Sequence, residues 1–160
     1  MLLLISEFIG RFHPLLVHLP IGILLLALLL QWLSAREGYA IAPNAMKVIW
    51  LLGIFSALLS CITGYLLSLS GEYDKDTVTL HMWAGIGVAA LSLLAGIKVF
   101  KRKFDTGYKT AAIGLLLLIT FTGHLGGTLT HGGDYLLAGL KSSGDAGDEN
   151  FFLGPAAGGY

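Results

Sequence analysis

The sequence predicts an all-α membrane protein: a four-transmembrane-helix up-down bundle with both termini on the periplasmic side and an extended C-terminal tail. Three observations predict it. The chain is 55% hydrophobic and 12% charged, with a mean hydropathy of +0.76, whereas a soluble domain carries about 25% charged residues. Four apolar runs, 14–33, 48–69, 78–100 and 110–130, are each long enough to cross a hydrocarbon core about 30 Å thick. Basic residues divide unevenly between the two ends. Arg36, Lys47, Lys98, Lys101, Arg102, Lys103 and Lys109 flank the loops joining runs one to two and three to four, while only Arg11, Lys75 and Lys141 lie on the other side. The positive-inside rule puts the first set in the cytoplasm, and a bacterial inner membrane, multi-pass and N-out/C-out, follows.

The elements follow in order. Residues 1–9 are apolar but lack a basic segment and a small-residue cleavage site, so they read as an interfacial stretch and not as a cleaved signal peptide. Pro14 suits the first turn of a helix and biases His13, just before it, away from helical geometry. His13 is therefore expected at the lip, with His18 one turn inside. Pro20 lies within the first helix and should loosen it near His18. Gly38, Pro43 and Asn44 mark the first cytoplasmic turn, 71–77 a short outer turn and 101–109 the second cytoplasmic turn. Trp32 and Trp50 are expected at the cytoplasmic interface and Trp83 at the outer one, as an aromatic belt. Ser56, Ser60, Ser92, Thr120 and Thr122 are expected to bond locally to helix carbonyls. Residues 1–140 form the bundle; 141–160, Gly-rich and acidic, read as a flexible or partner-bound tail.

A weak internal repeat runs through the bundle. Val17-His18-Leu19-Pro20-Ile21-Gly22 aligns with Leu80-His81-Met82-Trp83-Ala84-Gly85, and Thr63-Gly64-Tyr65-Leu66 with Thr122-Gly123-His124-Leu125. It suggests two helical hairpins related by an axis along the membrane normal, with His18 equivalent to His81.

All five histidines fall at the outer ends of the runs: His13 and His18 at the start of the first, His81 at the start of the third, His124 and His131 at the end of the fourth. An ionisable side chain near the hydrocarbon boundary needs a partner, which can be a metal, a hydrogen bond or water. His18 and His81 on diagonal helices can face each other across the axis, as the two imidazoles of a bis-histidine haem do. Gly64, Gly85, Gly87, Gly123, Gly126 and Gly127 clear space in the same outer half. No histidine lies in the cytoplasmic half, so any haem sits near the outer surface. Lone Cys61 permits no internal disulfide, and no Cys-x-x-Cys-His motif offers a c-type attachment site. No nucleophile–base pairing, phosphate loop or nucleic-acid patch is present. Eight acids, Glu7, Glu72, Asp74, Asp76, Asp134, Asp145, Asp148 and Glu149, lie on the outer side; they either steer a basic partner or simply collect where bases are excluded.

Phe12-His13-Pro14-Leu15-Leu16-Val17-His18-Leu19-Pro20-Ile21-Gly22, together with His81 and the segment Gly123-His124-Leu125-Gly126-Gly127-Thr128-Leu129-Thr130-His131-Gly132, resembles the signature of a bacterial four-helix membrane-domain family of unknown function. The resemblance covers roughly residues 10–136. That family often occurs beside or fused to cytochrome c modules of the planctomycete type, which implies redox work in the outer compartment. It implies histidine positions at His13, His18, His81 and His131; His124 is less general.

The resulting expectation is a b-type haem subunit, an electron-transfer component and not an enzyme on its own, relaying electrons between quinol and a c-type cytochrome. One haem b, or two, would be held between His18 and His81 or between one of these and His124. The remaining histidines, among them His131 and His13, would bind propionates, a second haem or a proton path, and Arg11 would face a propionate. A copper site built on His18, His81, His124 and His131 is the alternative, and a cofactor-free anchor for a periplasmic partner is another. A proton-coupled transporter is disfavoured by the lack of ionisable residues lining the cytoplasmic half.

Overall fold

The computed structural model describes residues 2–69 and 73–133. The tail expected at 141–160, and the acids Glu72, Asp134, Asp145, Asp148 and Glu149, lie outside the described residues. Among the described residues, six helices follow one another: α1 (Leu2–Gly10), α2 (His13–Leu16), α3 (His18–Leu33), α4 (Pro43–Ser68), α5 (Lys75–Phe100) and α6 (Thr106–His131). Four of the described stretches are long and apolar enough to cross a membrane: Ser6–Leu33, Pro43–Ser68, Lys75–Phe100 and Thr106–His131. The first is nearly continuous helix with breaks near Arg11 and Val17. Pro20 has no N–H to give the Leu16 carbonyl, and the neighbouring Ile21 N–H reaches the Val17 carbonyl only at 3.5 Å.

Helices α5 and α6 begin earlier than the apolar runs suggest, because aspartates cap them. The Asp74 carboxylate accepts from the Thr77 N–H at 2.9 Å and the Thr77 hydroxyl at 2.7 Å. The Asp105 carboxylate accepts from the Tyr108 N–H at 2.9 Å and from Lys98 Nζ at 2.8 Å. Each satisfies N–H groups that a helix start otherwise leaves unpaired. These hydrogen bonds and the Lys98 ammonium hold the Asp105 carboxyl below its ordinary range, and the Thr77 bonds do the same for Asp74.

Each long helix packs against its sequence neighbour, α3 on α4, α4 on α5, α5 on α6; α3 and α6 meet only sparsely. The bundle is therefore an arc with a seam between its first and last spans. Small residues set the approach distances. A methyl added at Gly53 would strike the Leu24 side chain at 2.6 Å, and one at Gly96 would strike Ile54 at 2.7 Å. The core is deepest toward the basic end, where Leu24, Ala27, Trp50, Ala95 and Leu115 are wholly buried.

Two local expectations change. Helix α1 does not simply border the bundle: Gly10 seats against the α4 backbone, where an added Cβ would come within 2.7 Å of the Leu67 nitrogen. Trp32 and Trp83 are exposed at 55% and 64%, as a belt requires, but Trp50 is fully buried. It shares a face with Met46, Gly53, Ile54 and Ala57, all inward on α4. Ser56, Ser92, Thr120 and Thr122 do bond to carbonyls of their own helices, at 2.7–3.0 Å.

Candidate functional site

At the end opposite the basic loops, the four spans enclose a cavity of about 790 Å³. Its walls are mainly apolar, and His13, His18, His81 and His131 all line it. The space exists because Gly64, Gly85, Gly123, Gly126 and Gly127 stand where side chains would fill it; a Cβ added at Gly85 or Gly123 would meet nothing within 4 Å. Gly87 serves packing instead, against Leu118.

His13 and His81 are the two built members of this wall. Both are half-buried, whereas His18, His124 and His131 are exposed. The two rings approach with centroids 6.2 Å apart and planes crossing at 84°. His13 Nδ1 donates to the Ser60 carbonyl at 3.0 Å, with the Thr63 hydroxyl 3.4 Å away. His81 Nδ1 donates to the Thr122 carbonyl at 3.1 Å. Since a carbonyl can only accept, each bond places the imidazole hydrogen on Nδ1. Nε2 then carries the lone pair in both rings, and neither Nε2 has a hydrogen-bond partner among the described residues. This is the arrangement by which proteins fix a ligating histidine's tautomer and orientation.

The two histidine mounts are copies of each other. His13 bonds to the carbonyl of Ser60 and packs on Gly64, four residues further along α4, where an added Cβ would lie 2.9 Å from the ring's Cε1. His81 bonds to the carbonyl of Thr122 and packs on Gly126, four further along α6, where the same distance is 3.3 Å. In each hairpin the first helix supplies an imidazole, and the second supplies a carbonyl and, one turn on, a gap that admits the ring edge. The internal repeat is thus visible in side-chain geometry, but in another register. His13, and not His18, corresponds to His81, and Ser60, about one helical turn before Thr63, corresponds to Thr122.

Burial also departs from the expectation of His13 at the lip and His18 inside, although both line the cavity. His13 is inside α2 and half-buried, and His18 is exposed. Five helical residues turn the chain by about 140°, so both cannot face Ser60; Pro14 starts a helix at His13 instead of expelling it. His131 lies at the cavity rim, its Nδ1 2.7 Å from the Thr130 hydroxyl. His124 is on α6 but does not line the cavity, and Arg11 is exposed in the break between α1 and α2, also away from it. Among the described residues no three His, Cys, Asp or Glu side chains converge to hold a metal ion. Sequence reasoning did not place Ser60, Tyr65 and Tyr73 in the site, yet all three join the wall. The matching small-x-x-x-Gly spacings, Ser60 to Gly64 and Thr122 to Gly126, were the signal that could have found the mounts.

Four apolar spans around one polar-tipped cavity define a multi-pass integral membrane protein of the four-helix class. Residues 11–135 match the family described as "Predicted membrane protein (DUF2231)", and the chain belongs to that family. No curated protein and no solved structure matches it.

Proposed function

We propose that the protein is a b-type haem-binding electron-transfer subunit, with His13 and His81 as the axial ligands. The observation that carries the reading is the pair of tautomer-fixed imidazoles, each with an unengaged Nε2, on two separate spans in one apolar cavity. The donor set and spacing fit the group. A metal–imidazole bond is about 2.0–2.1 Å, so two imidazoles on opposite sides of one ion have ring centres roughly 6 Å apart. The separation here is 6.2 Å. The glycine-cleared walls suit a flat apolar macrocycle. Bound there, a haem iron would accept and release one electron at a time.

The protein's own contribution is to hold both rings against helix carbonyls, exclude water and set the depth. The seam between α3 and α6 gives a lipid-soluble quinol lateral access, and exposed Glu7, Asp74 and Asp76 at the same end favour a basic partner such as a c-type cytochrome. The uneven loop charge supports reading this end as the periplasmic side of a bacterial inner membrane. His18 and His131 would meet the edge of the group, where propionates lie. A copper site made from three or four imidazoles draws less support from the donor geometry, because only two histidines are mounted together.

Purified protein should carry haem with a six-coordinate low-spin spectrum. His13→Ala and His81→Ala should each lose most of the bound haem, while His124→Ala retains it. Protein that folds and yet takes up no haem, in the cell or on reconstitution, would refute the reading.

A further inference from the structure

The basic end holds a second, smaller cavity that the histidine site does not use. It has a volume of about 220 Å³ and lies where loop 34–42 meets loop 101–105, the space of about seven water molecules at roughly 30 Å³ each. Its polar lining is Gln31, Ser34, Lys47 and Arg102, with no carboxylate. Of the two acids in these loops, Asp105 is already paired with Lys98 at 2.8 Å, and neither it nor Glu37 lines the cavity. Lys47 and Arg102 have no side-chain hydrogen bond or ion pair among the described residues.

Arg102 is there at a cost. Helix α5 ends in a Schellman-type turn: the Lys103 N–H bonds to the Lys98 carbonyl at 2.8 Å and the Arg102 N–H to the Val99 carbonyl at 3.0 Å. The residue at the position of Arg102 must turn left-handed, and its φ is +52°. Glycine is the residue this turn favours. Arg102 is the one non-glycine residue at positive φ among the described residues. A strained arginine aimed over a cavity with an unpaired lysine points to a ligand for the guanidinium.

We propose that this cavity seats the phosphate of an anionic phospholipid headgroup, clamped between Arg102 and Lys47. The surroundings identify a lipid as the source. The cavity sits at span ends, between the close of α3 and the start of α4, and beside it exposed Trp32 carries the Arg36 guanidinium 4.4 Å over its ring. An exposed indole with a stacked cation at a span end marks the headgroup level. Basic pockets between spans on that side are where acidic headgroups bind.

The test is thermal unfolding of the full chain in neutral detergent, with phosphatidylglycerol, phosphatidylcholine or inorganic phosphate added. Phosphatidylglycerol should raise Tm of the wild type, and the other two should not. Arg102→Gly should be at least as stable as wild type without lipid, since glycine relieves the turn, yet lose most of the phosphatidylglycerol increment. Lys47→Ala should lose part of it. The proposal is overturned if both variants keep the full increment, if phosphatidylcholine matches phosphatidylglycerol, or if inorganic phosphate alone reproduces the shift.

Discussion

The two ends of this bundle are made from the same four helices and are packed in opposite ways. Toward the basic loops, Leu24, Ala27, Trp50, Ala95 and Leu115 exclude all solvent. Toward the histidines, five glycines leave about 790 Å³ open. Hydrophobicity does not separate the two ends, since both are apolar. What differs is side-chain volume and where it is withheld. In a bilayer, where helices gain little from hiding apolar surface from one another, stability comes from close packing. An end left open is therefore an end that gives up stability for space, and the closed end must hold the fold.

Several substitutions would break or sharpen that contrast. The largest loss of stability belongs to the closed end. Leu115→Ala should cost about 2–5 kcal/mol, read as a lower denaturation midpoint, with the spectrum of the proposed haem unchanged in protein that folds. Filling the open end should do the reverse. Gly64→Ala puts a methyl 2.9 Å from His13 Cε1, so haem occupancy should fall sharply while the bundle stays folded. Gly126→Ala, at 3.3 Å from His81, should weaken binding less, and the order of the two variants tests whether the mounts are equivalent. Trp50→Phe should cost less than Leu115→Ala, because the cavity it leaves is partly offset by removing Nε1 of Trp50, which is buried with no hydrogen-bond partner among the described residues.

The smallest effect concerns pH. Because Asp105 titrates below its ordinary range when folded, its contribution is present above the unfolded carboxylate pKa and is lost as pH falls through the lowered value. Asp105→Asn, which keeps the cap and drops the charge, should flatten that part of an acid-unfolding curve.

The four spans were legible from apolar run length alone, and the gathering of histidines at one end from their positions in those runs. Helix starts were less legible. Asp74 and Asp105 extend α5 and α6 beyond the apolar stretch through hydrogen bonds that hydropathy does not register. Trp50 read as a belt residue by depth, yet its helical face decides, since it lies in line with Met46 and Ile54. His13 and His18 show the same limit. Depth along the chain put His18 inside, while rotation about the helix gives His13 the Ser60 carbonyl. Strings such as Thr63-Gly64 and Thr122-Gly123 look alike, but the equivalence that matters is one of facing, Ser60 with Thr122.

The most direct test of the central claim is the low-temperature EPR spectrum of the oxidised purified protein. Two imidazoles with planes near 84° on one iron should give the strongly anisotropic low-spin signal characteristic of perpendicular axial ligands, and His13→Ala or His81→Ala should abolish it. A high-spin or iron-free wild type, or a low-spin signal that survives both substitutions, would contradict the account.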